Sequence, residues 1–135
     1  MDQLEPPDVV LWDERRLWFE AQASAAERRG IRQPSEQASA LLIDLQAVFC
    51  AGCWATVVIL AAAIVEIQAE GSGQGGADAA ELAWLRRRRN ALLHERAGDP
   101  ALTIEDQWTR RPEWEKHARR AVKVLFHALY PERGS

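Results

Sequence analysis

Arg89-Asn90-Ala91-Leu92-Leu93-His94 places a guanidinium, an amide and an imidazole in one short segment. Those groups suit phosphate chemistry. A guanidinium holds a phosphate through paired hydrogen bonds, an imidazole exchanges a proton near neutral pH, and an amide can orient either. The segment reads as helix. At about 100° per residue, Leu82, Leu85, Leu92 and Leu93 fall within roughly a third of the circumference, and Arg89 falls in the same arc. Arg86, Asn90 and His94, spaced by four, form an adjoining stripe. An arginine aimed at an apolar side needs a carboxylate, a phosphate or a cleft, because an unpaired buried charge is strongly destabilising. Glu66, at the end of the preceding apolar run, is the candidate carboxylate; it is equally the point where that helix re-enters water. The candidate site is therefore Arg89, Asn90 and His94, supported by Glu66 and Arg86, while Arg87 and Arg88 point away from the apolar arc and read as solvated.

The Arg, polar residue, three more, His pattern at Arg89 to His94 resembles the signature of HEPN domains, helical nucleotide-binding and RNase domains. Its position agrees, in a later helix of an all-helical chain and after a long alanine-rich helix ending in Glu66. The resemblance implies a metal-independent endoribonuclease of toxin or defence type, with Arg89 and His94 as the catalytic pair and Asn90 assisting. It implies no cofactor, a homodimer pairing the motifs of both subunits, and RNA or a nucleotide as ligand. An antitoxin or nucleotidyltransferase partner also belongs to the family picture. Arg96 stands where some HEPN toxins carry the tyrosine such a transferase modifies, so this chain departs from that route. The competing reading is a non-catalytic nucleotide-binding or regulatory helical module.

At 135 residues the chain suits one helical domain, 1–135, that needs neither disulfide nor metal to hold a core. A net charge of −3 argues against broad duplex binding by counterion release, so any nucleic-acid contact must be local, and the arginine run is the one basic patch. No basic leader precedes an early apolar run, so a cytoplasmic location is expected. Cys50 and Cys53 form a C-x-x-C within apolar sequence that has neither the βαβ setting of a redox site nor a second ligand pair for zinc; both read as buried small residues.

The elements that must position the motif follow from periodicity and punctuation. Met1 to Pro7 reads as frayed or extended. Val10, Leu17, Trp18, Ala21 and Ala25 mark a first amphipathic helix near Val9 to Arg29, stopped by Gly30. From Glu36 to Glu70 only Gly52 interrupts, which predicts one central helix of about 50 Å crossing that glycine, with any bend near Ser39. No charge occurs from Ala47 to Val65, a length that meets the criterion for a membrane span. Acidic flanks at Asp44, Glu66 and Glu70, with no lysine or arginine between Arg32 and Arg86, argue instead for a helix buried by protein partners. Gly71 to Gly76 is a connector: no strand precedes it and no lysine follows at phosphate-loop spacing. Asp78 with Glu81 resembles a capping box that opens the motif helix, and Gly98, Asp99 and Pro100 close it. Thr103 caps a short turn through Asp106. Pro112 starts a last helix with Trp114, Ala118, Ala121, Val122, Leu125 and Leu129 as its apolar stripe, ended by Pro131. His117 and His127 fall off that stripe and read as solvated. The tryptophans read as packing, although Trp84 and Trp108 flank the motif and could stack on a base. The sum is an all-α, antiparallel up-and-down bundle of four main helices.

Overall fold

The computed structural model describes residues 5–29, 34–72 and 78–131. Among them are six helices: α1 (Val9–Arg29), α2 (Glu36–Ala51), α3 (Trp54–Ser72), α4 (Ala79–Leu93), α5 (Ile104–Thr109) and α6 (Arg111–Leu129). The chain is all-α, and the described residues contain no strand.

The expected central helix does not cross Gly52. It ends at Ala51, so the bundle has five long helices rather than four, and the break lies well past Ser39. The cause is local. Gly52 sits at φ 81°, in the left-handed region, and its N–H donates to the Phe49 carbonyl at 3.0 Å while that of Cys53 donates to Val48 at 2.9 Å. Those two bonds close a helix end in the Schellman pattern, which glycine adopts without steric cost. A Cβ on Gly52 would stand 3.0 Å from Arg15 Nη1 and 3.3 Å from Arg111 Nη2, so a side chain there would crowd the ends of both guanidiniums.

The break folds α2 back on α3, and Ser35 caps the start of α2 by accepting from the Ala38 N–H at 3.1 Å. Further along, Glu66 of α3 meets Arg89 of α4. Glu81 and Trp84 of α4 face Arg120 and His117 of α6. The two pairings with α6 run α4 antiparallel to it. Val57, Val58, Ala61 and Ile64 of α3 pack with Ala118, Val122, Leu125 and Leu129 of α6 in the core, all fully buried. Burying each large apolar side chain is worth about 1.5–3 kcal/mol against leaving it in water. Every residue assigned to the α6 stripe is buried.

The α1 stripe differs from the sequence reading. Val10 and Leu17 are 77% and 58% exposed, and the helix buries Phe19 and Ala26 instead. Apolar residues lie all round this helix, so spacing alone could not choose the face. What chooses it is an aromatic cluster: Phe19 packs on Phe49 and Phe126, and Trp18 stacks on Phe49 at 5.1 Å between ring centroids. The cysteines also part ways, Cys50 buried and Cys53 exposed, because the break at Gly52 turns Cys53 out of the helix. Burial pushes the Cys50 thiol above its ordinary range.

His117 is half-buried rather than solvated. It lies between Trp84 and Trp114, with centroids 6.0 and 5.3 Å away. His127 is exposed, its Nδ1 2.8 Å from the Lys123 carbonyl. The Gly30 stop and most of the connector, 73–76, lie outside the described residues, as does Met1–Leu4; Gly71 and Ser72 belong to the last turn of α3. Among the described residues no helix is long and apolar enough to cross a membrane.

Candidate functional site

The motif helix starts as the sequence suggested and ends earlier. Asp78 caps α4 by accepting from the Ala80 N–H at 2.7 Å. Glu81 does not complete a capping box, because its carboxylate is taken by Arg120, whose Nε donates to it at 2.9 Å. That guanidinium also lies 4.0 Å over the Trp84 ring. The pair holds the Glu81 carboxyl below its usual range and raises the Arg120 pKa, in each case chiefly through the hydrogen bond between them.

At its other end α4 stops at Leu93, ahead of Gly98, and the His94 N–H closes the last turn by donating to the Asn90 carbonyl at 2.9 Å. The chain then makes a tight turn in which the Asp99 N–H donates to the Arg96 carbonyl at 3.0 Å. Gly98, at φ 78°, supplies the positive φ that a type II turn requires at its third position. Between the end of α4 and this turn lies an open cleft of about 470 Å³, lined by Arg87, Asn90, His94, Arg96 and Asp99. Thr103 then caps α5 in a full capping box with Asp106, the two bonds measuring 3.0 and 3.1 Å, which fixes the far side of the loop.

The five sequence-derived site residues separate into two groups. Asn90 and His94 line the cleft; Arg89 does not. Arg89 forms an ion pair with Glu66, with its side chain 16% exposed and that of Glu66 49% exposed. Its Nε also donates to Asn90 Oδ1 at 3.0 Å. Asn90 thus links the ion pair to the cleft. Arg86 is exposed and lines no part of the cleft; Arg87, expected to be solvated, takes that place. The proper spacing is Arg87, Asn90, His94, at i, i+3 and i+7, an equally helical stripe that the choice of an i, i+4 row passed over. Arg96 and Asp99 were missed because they depend on a turn, and the only signal for that turn was Gly98.

The cleft is basic in a chain of net charge −3. The side chains of Arg87, His94 and Arg96 form no hydrogen bond or ion pair with another described residue. No family model, curated protein or solved structure matches this chain. The chemistry of the cleft must therefore be argued from its own residues. Two guanidiniums with free N–H groups can accept an anion with a planar or tetrahedral array of oxygens. One imidazole open to water can accept or return a proton. One amide, its oxygen already engaged by Arg89, keeps its NH2 group to donate. The tryptophans are elsewhere: Trp84 is buried against α6, and Trp108 is on α5, 47% exposed, outside the cleft lining. Among the described residues no group of three or more His, Cys, Asp or Glu could hold a metal ion.

Proposed function

We propose that the cleft at the end of α4 binds single-stranded RNA and cleaves it as a HEPN-like, metal-independent endoribonuclease. The observation that carries this reading is the convergence of three cationic or protonatable side chains, Arg87, His94 and Arg96, around one amide, with no partner among the described residues. All three side chains are exposed to water. Gathered at one place, they suit a ligand that brings its own negative charge.

In this reading His94 takes the proton of a ribose 2′-hydroxyl. The 2′-oxygen forms a bond to the adjacent phosphorus as the bond to the 5′-oxygen breaks, leaving a 2′,3′-cyclic phosphate and a 5′-hydroxyl that takes its proton from solvent. Arg87 and Arg96 meet the charge that builds on the non-bridging oxygens. Asn90 donates to the phosphate or ribose through its NH2 group. Arg89 acts as a positioning residue, holding the Asn90 amide while its own charge is balanced by Glu66. This differs from the role the family resemblance gives Arg89.

A homodimer belongs to the same proposal. Leu93, 53% exposed beside His94, leaves the end of α4 open to a second copy, and sedimentation at micromolar concentration distinguishes dimer from monomer. The commitment of Arg89 to Glu66 favours one other reading, a module that binds nucleotides without cutting them. Incubation with mixed RNA separates the two. Wild type is expected to generate cyclic-phosphate ends, and His94→Ala is expected to lose roughly 10²–10⁴ in rate. Intact RNA with both proteins, at concentrations where RNA is bound, establishes the binding module instead.

A further inference from the structure

Beside the basic cleft lies a second one of about 240 Å³, lined by the aliphatic side chains of Ala55, Ile59, Leu92 and Leu102 together with Glu95. The two are neighbours, with Ala91 and Ala101 lining both. Such a volume falls just below the roughly 300–1,000 Å³ of clefts that take drug-sized ligands, so it suits one planar ring system rather than a whole nucleotide. Its chemistry is simple. The walls are aliphatic, and the single polar side chain is a carboxylate with no partner among the described residues.

We propose that this pocket receives a guanine base of the RNA whose phosphate occupies the basic cleft, with Glu95 reading the base edge; the inference rests on the RNA reading above. An ionised carboxylate only accepts hydrogen bonds. Guanine alone presents two adjacent donors, N1–H and the N2 amino group, on the edge that single-stranded RNA leaves free. Adenine and cytosine offer an amino donor next to a ring nitrogen acceptor, so one carboxylate oxygen would face a lone pair. Uracil sets its single N–H between two carbonyl oxygens. Glu95 follows His94 directly in the chain. The base read by Glu95 and the 2′-hydroxyl at His94 therefore belong to one nucleotide, and cleavage falls on the 3′ side of guanosine.

Calorimetric titration of the full chain with the four nucleoside 3′-monophosphates tests this. The guanosine compound is expected to bind about tenfold more tightly than the other three, the weak end of what one bidentate base contact discriminates. Glu95→Gln, at an exposed position that bears no packing, is expected to bring the four affinities together. Equal affinities in the wild type, a preference that survives Glu95→Gln, or no binding at all overturns the proposal. RNA cleavage is scored separately. Guanine-selective binding without cleavage removes the nuclease reading and keeps the pocket, whereas cleavage without base preference keeps the nuclease and removes the pocket.

Discussion

Arginines gather at two places in this molecule, and they are used in opposite ways. At the break between α2 and α3, Arg15 donates to the Cys50 carbonyl at 3.1 Å and lies 4.7 Å over the Trp54 ring. Arg111 donates to the Gly52 carbonyl and to Gln107 Oε1, the latter at 2.8 Å. Arg119 pairs with Glu115 at 2.9 Å and covers Trp18 at 4.6 Å. Arg15 and Arg111 there answer carbonyls at the C-terminal end of α2. Burial lowers the Arg15 pKa, yet a guanidinium starts so high that it keeps its charge. At the end of α4 the His94 N–H closes the Asn90 carbonyl, and the side chains of Arg87 and Arg96 reach no acceptor among the described residues. The same side chain is a staple at one helix end and stands open to solvent at the other.

That contrast can be broken most sharply at the cleft. Replacing Arg87 and Arg96 together by alanine is expected to lower the RNA cleavage rate roughly 10²–10³-fold, the scale of losing preorganised charge at a transition state. Stability should stay within about 0.5 kcal/mol of wild type, as for surface changes generally. If thermal melting instead fell by several degrees, those arginines would belong with the staples.

The complementary change is Gly52→Ala. Alanine must adopt φ 81° and push aside two guanidiniums, for an expected cost of about 1–3 kcal/mol in denaturant unfolding and no loss of cleavage per folded molecule. An unchanged unfolding midpoint would mean that the break is not held by this glycine.

Arg89→Ala ranks next, between the two groups. Its loss strands Glu66, but that carboxylate is half-exposed and rehydrates. The expected destabilisation is therefore about 1–2 kcal/mol, below the 3–5 kcal/mol typical of a fully buried pair. Cleavage should fall because Asn90 loses its anchor.

The smallest effect concerns His117. Burial first, then the charges of Arg88 and Arg120 against a weaker opposing pull from Glu113, lower its pKa from the ordinary 6.5. A histidine that stays neutral in the folded state but takes a proton when unfolded contributes stability above pH 6.5. That contribution is lost as pH falls from the unfolded value toward the folded one, because the unfolded chain then binds more protons. His117→Phe should flatten the loss of stability just below pH 6.5 while leaving cleavage intact. A slope unaltered by the substitution would place the titration elsewhere.

Much of this architecture can be read from residue patterns, and the exceptions have physical causes. The α6 stripe was legible because its apolar residues occupy one face and its polar ones the other. The α1 face was not, since Val10 and Leu17 are as apolar as the buried Phe19, and only the aromatic cluster with Phe49 and Phe126 decides between them. Gly52 was visible, but a lone glycine in a helical pattern is often tolerated; what makes it a stop is its left-handed φ with the two backbone bonds that close α2 on Phe49 and Val48. Glu66 opposite Arg89 was named from direction alone, and the ion pair is present. The cleft was half legible. Asn90 lies on α4 and His94 caps its end, so helical spacing still approximates their direction, whereas Arg96 and Asp99 are placed by a turn that leaves no periodic trace.

The connection of α2 to α3 through Gly52 and Cys53 alone also bears on the order in which the chain organises. Closing so short a loop removes little chain entropy, and contacts between neighbours in sequence form faster than those that must bring distant segments together. The α2–α3 hairpin is thus the natural nucleus, with α1 and α6 adding their aromatic and aliphatic faces to it from opposite ends of the sequence. The turn after α4 comes late: from Leu93 to Pro100 every residue is exposed. Its amides are held by few packed neighbours and should exchange with solvent through small local openings rather than with the whole fold. The cleft is then a surface that can adjust locally without loosening the helices beneath it.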